Sequence, residues 1–269
     1  MAKIAFIGGG NMASSLIGGL LKQGFSAADL IASDPLQQNR ERLAGEFGIA
    51  TSATNDCAAE ADVIVLAVKP QIMKPVSTDL AASLGHKPLV ISIAAGITIA
   101  SLESWLGKDM PLVRCMPNTP ALLQKGATGL YASNAVNDQQ RSRAEAIISA
   151  VGTASWFNNE EDIDRVTALS GSGPAYFFLV MEAMENAGVK LGLERDTARQ
   201  LTIQTALGAS AMAAQEAAEP AELRARVTSP GGTTEAAIKS FINNDLPGLF
   251  EQAMEAAFER SVEMAREAQ

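Results

Sequence analysis

The chain has 269 residues, with 21 Lys and Arg against 30 Asp and Glu, so its formal net charge is −9. This length suits two compact units better than one small core. An acidic chain without a long basic run argues against binding to nucleic acid or anionic membranes, because such binding depends on clustered Lys and Arg. The longest apolar runs are too short for a membrane span.

Cysteine and histidine are both scarce. The two cysteines, Cys57 and Cys115, lack CxxC or metal-ligand spacing and indicate reduced thiols in a cytoplasmic protein. His86 is the only histidine and lies in a predicted surface turn. This disfavours a Ser-His-Asp triad and a His-based metal site, and no metal site is predicted.

The first half of the chain alternates short β-like runs with helical stretches. The predicted strands cover residues 3–7, 30–33, 63–68, 89–93, 111–115, 127–131 and 154–157. The predicted helices cover residues 11–23, 37–47, 71–84 and 138–150. This alternation indicates βαβ units and an α/β fold with a doubly wound sheet of the Rossmann type.

The second half reads as helical throughout. Helices are predicted over 175–187, 195–218, 233–242 and 249–268, with Gly188 and Pro220 as stop signals. We therefore expect a dinucleotide-binding domain over 1–158 and an all-α domain over 159–269. Small residues dominate 206–214 and let helices approach closely, which predicts that the all-α domain packs against a second copy of the chain.

Residues 8–13 (Gly-Gly-Gly-Asn-Met-Ala) match G-x-G-x-x-[GA] between a predicted strand and a predicted helix. Gly8 allows the tight turn, and Gly10 lets the backbone approach a diphosphate. Asn11 and Met12 open the helix, whose N–H groups suit phosphate oxygens. The motif therefore predicts a bound nicotinamide dinucleotide.

The residues after the second strand leave the choice of dinucleotide open. An acid at the position of Asp34 normally binds both ribose hydroxyls of NAD and repels the 2′-phosphate of NADP. Ser33 could instead donate to a phosphate, with Arg40 and Arg42 within reach of the same edge. Asp34 could also simply cap the following helix.

Other loops follow the carboxyl ends of strands, which border the cofactor crevice in such sheets. Gly96 would permit close approach of a ligand. Two prolines stiffen the loop around Asn118, which suits a pocket wall. The residues expected at the cofactor edge are Ala67, Val68, Lys69, Pro70, Ala95 and Gly96.

A second glycine-rich turn lies far along the chain, where residues 229–234 (Ser-Pro-Gly-Gly-Thr-Thr) precede a predicted helix. Such a turn aims unpaired backbone N–H groups at one point, which suits an anion. The alternative is a loop that only caps the helix. Two anion sites in one chain suggest a cofactor and a separate acidic substrate.

Five stretches resemble the pyrroline-5-carboxylate reductases: residues 6–12, 67–70, 114–120, 169–176 and 227–234. This family reduces the C=N bond of 1-pyrroline-5-carboxylate to L-proline, the final step of proline biosynthesis, by hydride transfer from NADPH or NADH. The resemblance implies the same reaction here, with NADPH as the expected cofactor and NADH as a possible one. Asn55 matches a family position near the adenosine ribose or its phosphate.

The resemblance also implies the substrate site. The residues that match the family's carboxylate-binding turn, together with the pocket-wall asparagine, are Asn118, Ser229, Gly232, Thr233 and Thr234. Thr234 is expected to be catalytic by bonding the ring nitrogen or relaying a proton. Glu216 is the nearest match to a family glutamate that meets the imine nitrogen, and Glu219 is the competing position.

The resemblance further implies homodimers interlocked through the helical domain, commonly in larger rings, in which one chain completes its partner's site. Two other interpretations stay open on the sequence. A two-domain dehydrogenase of the β-hydroxyacid type would need a catalytic lysine near the start of the helical domain, where residues 177–182 contain none. A non-catalytic dinucleotide-sensing protein would have no use for a second anion site.

Overall fold

The structure is a computed structural model that describes residues 2–267. The chain divides into two compact units. The first extends to Ser172 and includes the segment from Ala256 onwards, and the second is Gly173–Glu255. The C-terminal segment thus belongs with the first unit. The predicted domains, 1–158 and 159–269, place this segment in the helical domain instead.

Within the described residues, the first unit contains one eight-stranded sheet with strand order β3-β2-β1-β4-β5-β6-β7-β8. Neighbours from β3 to β6 pair in parallel, β7 is antiparallel to β6, and β8 is parallel to β7. The strand order reverses beside β1, where such folds bind ligands at the carboxyl ends of the strands. The strands are β1 Ile4–Ile7, β2 Leu30–Ser33, β3 Ala50–Ser52, β4 Val63–Leu66, β5 Leu89–Ser92, β6 Leu112–Met116, β7 Gly126–Ala132 and β8 Gly152–Trp156.

Helices cover both faces of this sheet. Because side chains alternate along a strand, Phe6 of β1 joins one buried cluster and Ile7 joins the other. The helices are α1 Asn11–Lys22, α2 Gln37–Phe47, α3 Pro70–Ala81, α4 Ile99–Leu106, α5 Asp138–Ser149 and α6 Asp162–Val166. Shorter 3-10 turns span Ala27–Asp29, Asn55–Glu60 and Thr119–Leu123, and a π-helical turn spans Thr167–Gly171.

The predicted α/β doubly wound fold is confirmed, with local corrections. The strand predicted over 63–68 ends at Leu66, because Pro70 already begins α3. The short β3 and the helices α4 and α6 were not predicted. In α4, Thr98 is the N-cap and accepts a hydrogen bond from Ser101 N.

The second unit consists of helices. They are α7 Gly173–Lys190, α8 Arg195–Gln215, α9 Pro220–Arg226, α10 Thr233–Asn243 and α11 Leu246–Glu267, the last of which continues into the first unit. The predicted stop at Gly188 is wrong, because Gly188 lies inside α7 and packs on Ala198. The helix predicted over 195–218 ends at Gln215, and Pro220 instead opens α9, which was not predicted. The predicted end of the last helix at 268 lies outside the described residues.

The second unit buries very little of itself. Within residues 173–255, all of which are described, just three are buried: Gly173, Ala198 and Thr202. Large apolar side chains are exposed instead, including Phe177, Leu179 and Leu207, each more than 60% accessible. An apolar surface of this extent marks an interface with another protein chain.

Candidate active site

The first glycine turn is shaped for close contact on one side and open space on the other. Gly8 has φ +103°, and a Cβ added there would lie 2.6 Å from the carbonyl oxygen of Ala67. Gly10 is the N-cap of α1 without a side-chain cap, and a Cβ added to it would meet nothing within 4 Å. The first N–H groups of α1, from Asn11 and Met12, therefore face an uncapped helix start that suits a phosphate.

Two side chains hold Gly9, the middle residue of the turn. Its N–H donates to Asp34 Oδ2 at 2.8 Å, and its carbonyl oxygen accepts from Arg42 Nη2 at 2.7 Å. Arg42 Nη1 also donates to Ser14 Oγ at 2.6 Å. Asp34 and Arg42 thus grip the two polar ends of one short backbone segment.

The carboxylate of Asp34 is turned into the protein. Besides Gly9, it accepts from Leu36 N at 2.8 Å and from Asn39 Nδ2 at 3.0 Å, and the residue is 8% exposed. A carboxylate offers about four lone-pair positions, so about one is left for any ligand. A ribose contact from Asp34 stays a prediction, and the bonds to Gly9 and Leu36 are its observed role.

Three polar groups gather at the carboxyl end of β2. Ser33 Oγ donates to Asn55 Oδ1 at 2.7 Å, so two predicted cofactor residues are in direct contact. Arg40 Nη1 donates to the carbonyl oxygens of Asp34 and Pro35 at 2.7 and 2.9 Å. The Arg40 guanidinium, the Asn55 amide and the buried Ser33 hydroxyl therefore lie at the carboxyl end of β2, and a contact with a ribose phosphate stays a prediction.

The loop after β4 begins α3. Ala67 N donates to the carbonyl oxygen of Ile7 at 2.8 Å, which ties this loop to the end of β1 beside the glycine turn. Val68 is half-buried, Lys69 is the exposed N-cap residue of α3, and Pro70 is its first residue. This loop therefore lies next to the end of β1, and its contact with a cofactor stays a prediction.

Gly96 lies against the C-terminal helix. Its φ is +72°, and a Cβ added there would lie 3.0 Å from Cβ of Met264 in α11. This close approach accounts for a glycine at the position, and a contact between Gly96 and the cofactor stays a prediction. Ala95, one residue earlier, is half-buried.

Asn118 uses both ends of its amide within the protein. Its Nδ2 donates to the carbonyl oxygen of Ser170 at 2.9 Å, and its Oδ1 accepts from Ala127 N at 2.9 Å. These bonds fasten the proline-rich loop to β7 and to the π-helical turn. A contact between Asn118 and a substrate stays a prediction.

The second glycine turn also ends at an uncapped helix. Gly231 has φ +73°, and Gly232 is the N-cap of α10 without a side-chain cap. Gly232 N donates to the carbonyl oxygen of Ser229 at 3.0 Å, which closes the turn. Ser229 and Thr233 are exposed and Thr234 is half-buried. The start of α10 lacks a side-chain cap, which suits an anion, and binding of an anion there stays a prediction.

Glu235 stabilises this turn from within α10. Its Oε2 accepts from Gly231 N at 2.8 Å, and its Oε1 pairs with Lys239 at 3.1 Å. The bond from Gly231 N, followed by that from Lys239, lowers the pKa of Glu235. The carboxylate therefore stays ionised at neutral pH and keeps the turn closed.

Glu216 is bound to Arg226, a partner that the sequence did not reveal. Glu216 is the C-cap residue of α8 and forms an ion pair with Arg226 Nη1, while Arg226 Nη2 donates to Glu222 Oε1 at 2.7 Å. The bonds from Glu222 and then Glu216 raise the pKa of Arg226. The i,i+4 spacing of Glu222 and Arg226 was the available signal. Glu219, the competing position, is the N-cap residue of α9.

Arg114 is a second residue whose role only the structure reveals. It is 2% exposed on β6 and pairs with Asp164 Oδ1 at 2.7 Å and Glu160 Oε1 at 3.1 Å. Ser261 Oγ of α11 also donates to Asp164 Oδ1, at 2.8 Å. This cluster joins β6, α6 and the C-terminal helix.

Among residues 2–267, no three His, Cys, Asp or Glu side chains are grouped so that they could hold a metal ion. No helix in the same part of the chain has the length and apolar character needed to cross a bilayer.

Two family models match the chain. Residues 160–264 match the model described as pyrroline-5-carboxylate reductase dimerisation. Residues 3–96 match the model described as NADP oxidoreductase coenzyme F420-dependent. The first match covers the second glycine turn and Glu216, and the second covers the first glycine turn and the end of β2.

Individual proteins match over almost the whole chain. A pyrroline-5-carboxylate reductase of Pseudomonas aeruginosa is 59% identical over 266 residues, covering 98% of this chain and 97% of that protein. The solved structure of a Coxiella burnetii pyrroline-5-carboxylate reductase has a TM-score of 0.95 at 44% identity, covering 98% of each chain. A Plasmodium falciparum pyrroline carboxylate reductase solved with NADP bound has a TM-score of 0.87 at 32% identity, also covering 98% of each chain. The chain belongs to the pyrroline-5-carboxylate reductase family.

Proposed function

We infer that this chain reduces 1-pyrroline-5-carboxylate to L-proline, with NADPH as the hydride donor. The observation that carries this function is the uncapped start of α10 behind Gly232, within the segment matched by the dimerisation family. The full-length relatives support it, and they do not favour the β-hydroxyacid dehydrogenase or the sensing protein. The NADP in the Plasmodium falciparum structure supports NADPH here.

The residues of the first glycine turn fit a dinucleotide, since a Cβ on Gly10 would occupy the open space in front of α1. The Asn11 and Met12 N–H groups would bind the diphosphate. We propose that Asn55 and Arg40 bind the 2′-phosphate of NADPH and that Ser33, which is 1% exposed, acts by holding Asn55. NADH would lack these contacts. When bound, the dinucleotide supplies a hydride from nicotinamide C4.

Substrate binding is assigned to the second glycine turn. The backbone N–H groups of Thr233 and Thr234, with the Ser229 hydroxyl, are the candidate donors to the carboxylate, while Gly232 N is bonded to Ser229 within the turn. Hydrogen bonds to a charged group contribute about 1.5–3 kcal/mol each, so a few of them orient a small rigid ring without an arginine. The Thr234 hydroxyl is proposed to bond the ring nitrogen or pass it a proton.

A carboxylate near the imine would stabilise the protonated C=N bond, which accepts hydride because its nitrogen carries positive charge. Glu216 is proposed for this role. Its carboxylate forms an ion pair with Arg226. Because hydride transfer neutralises the iminium, this contribution would favour substrate binding more than the chemical step. Glu219 is the alternative residue.

The chain forms a homo-oligomer through its helical unit, as the matched dimerisation family and the exposed apolar helix faces support. We propose that the basic assembly is a dimer and that dimers associate into a larger ring. Light scattering coupled to gel filtration measures the mass directly. A monomer would contradict the dimer, and a dimer without larger species would contradict the ring.

Location in the reducing cytoplasm is supported by the thiols. Cys57 and Cys115 are both free, and burial raises the pKa of each thiol. Thiols held in the protonated form react slowly with oxidants and disulfides. Cell fractionation followed by immunoblotting of the cytoplasmic, envelope and medium fractions tests this placement, and recovery outside the cytoplasmic fraction would contradict it.

The function is tested by following cofactor absorbance with purified protein, the cyclic imine, and NADPH or NADH. Oxidation of NADPH that requires the imine, with proline as the product, is expected. Failure of both cofactors to be oxidised in the presence of the imine would refute the activity.

A further inference from the structure

Asp34 accepts a hydrogen bond from Gly9 N, which gives it a role different from that of the ribose-binding acid common at this position. The end of β2 is where a carboxylate normally selects NADH by binding two ribose hydroxyls. Here Asp34 is 8% exposed and accepts three internal hydrogen bonds, from Gly9, Leu36 and Asn39. Its charge faces the backbone of the glycine turn.

Arg42 completes the arrangement from α2. It donates one N–H to the carbonyl oxygen of Gly9 and another to Ser14 Oγ, and Ser14 lies in the first turn of α1. The N–H and the carbonyl oxygen of Gly9 are thus bonded by groups of opposite charge. Neither bond depends on a ligand, so the turn is held in one geometry before a dinucleotide binds.

The space around Gly9 is equally restricted. A Cβ added there would lie 2.9 Å from Leu43 Cδ1 and 3.2 Å from Asp34 Oδ2. Leu43 would have to shift and Asp34 to give by a few tenths of an ångström. An added side chain would therefore press on the carboxylate that bonds Gly9 N.

We propose that Asp34 and Arg42 are positioning residues that hold the Gly9 segment in the geometry that binds the dinucleotide diphosphate, and that Asp34 does not discriminate between NADPH and NADH. This proposal rests on the proposed dinucleotide-dependent function. The diphosphate is common to both cofactors, so loss of either side chain weakens both to the same extent. Discrimination then comes from groups at the 2′ position.

The experiment compares Asp34→Asn and Arg42→Gln with wild type, using steady-state kinetics for each cofactor at saturating imine. The asparagine must turn an N–H₂ donor toward Gly9 N or Leu36 N, so at least one bond is lost. We expect KM to rise about tenfold for NADPH and for NADH alike, with kcat changed by less than about twofold. The ratio of kcat/KM for the two cofactors is expected to stay constant.

Matched controls and a rescue variant separate positioning from general destabilisation. The exposed Asp79 on α3 and the half-buried Arg143 on α5 supply Asp79→Asn and Arg143→Gln, which are expected to leave both KM values unchanged. Arg42→Lys keeps one donor for Gly9 and is expected to recover part of the affinity for both cofactors. Since the ratio compares two cofactors on one preparation, a fraction of unfolded protein does not alter it.

Three outcomes would overturn the proposal. A rise in KM for NADH alone in Asp34→Asn would make Asp34 a ribose ligand. A rise for NADPH alone in Arg42→Gln would make Arg42 a 2′-phosphate ligand. Unchanged KM values in both variants would remove the positioning role. Calorimetric titration with NADP⁺ and NAD⁺ in the absence of imine separates these results from a failure of the function, since wild-type protein that binds neither dinucleotide would contradict the proposed function itself.

Discussion

Arg114 and Asp164 form a buried ion pair whose Nη2–Oδ1 distance is 2.7 Å, with side chains 2% and 9% exposed. Asp164 also accepts from Ser261 of the C-terminal helix, and Glu160 bonds both Arg114 and Ile99 N. A single guanidinium therefore connects β6, α6 and, through Asp164, α11. The cluster lies entirely within the first unit.

Replacing Arg114 with Met should therefore destabilise the protein strongly. Removing one partner of a buried pair leaves an uncompensated charge, which costs about 3–5 kcal/mol. Urea unfolding measures the loss. Arg165→Met is the control, since Arg165 pairs with Asp162 on the surface with its side chain 56% exposed. Arg165→Met is expected to lower the free energy of unfolding by less than about 1 kcal/mol. An equally small loss in Arg114→Met would contradict the stabilising role of the buried ion pair.

Gly10→Ala should separate cofactor binding from stability. Its φ of −72° suits alanine, and the added methyl would meet no protein atom within 4 Å. We expect an unchanged melting temperature but a KM for NADPH raised about tenfold or more, because the methyl occupies the space facing the diphosphate. Gly45→Ala on α2, also without a neighbour within 4 Å, is the control and should leave KM unchanged. Normal NADPH affinity in Gly10→Ala would place the diphosphate elsewhere.

Removing the hydroxyl of Ser229 should weaken substrate binding. Loss of one charge-assisted bond of about 1.5–3 kcal/mol raises the KM for the imine by about 10- to 100-fold. Thr234→Ala should raise this KM and also lower kcat, while Thr234→Ser should keep most of the wild-type kcat. The control is Thr228→Ala, because Thr228 Oγ1 donates to the carbonyl oxygen of Arg224 at 2.6 Å. Equal effects of Thr228→Ala and Ser229→Ala on KM would argue against a specific carboxylate site.

Glu235 predicts a dependence of stability on pH. Its pKa is lowered from 4.5 in the folded protein by the Gly231 N–H and by Lys239. The stabilisation is therefore fully present above about pH 4.5 and disappears as the pH falls through the lower folded value. The difference in melting temperature between wild type and Glu235→Ala should shrink as the pH falls from 6 to 3. The exposed Glu259 provides Glu259→Ala as the control, and a difference independent of pH would contradict the role of the carboxylate.

The sequence predicts the parts of this protein that depend on local backbone chemistry. Gly8 and Gly231 both have positive φ, and each lies in a turn that was identified from glycine spacing before a helix. Val63 and its neighbours in β4 form a buried apolar run, and such a run is recognisable without knowing its partners. Both glycine turns were identified in this way, and the ligands assigned to them stay predictions.

The sequence does not predict features that join distant parts of the chain. The Ser261–Asp164 bond spans 97 positions, and the Gly9–Asp34 bond spans 25. The orientation of the Asp34 carboxylate depends on where α2 lies, because Leu36 N and Asn39 Nδ2 donate to it. The spacing of residues in a motif does not reveal this orientation. The helix α4 was missed because the largely apolar residues 93–98 join it to the apolar strand β5. The contact between Gly96 and Met264 is a tertiary one, so the sequence did not reveal it.

The return of α11 to the first unit has a practical consequence for engineering the protein. Both described ends of the chain belong to one unit, and Gly173–Glu255 is an insertion with two splice points, after Ser172 and before Ala256. Exchange of this insertion between relatives would leave Ser261 and Met264 in the first unit, together with the residues that they contact. A truncation from the C-terminus that is meant to shorten only the helical unit would instead remove Ser261, which donates to Asp164, and Met264, which packs on Gly96.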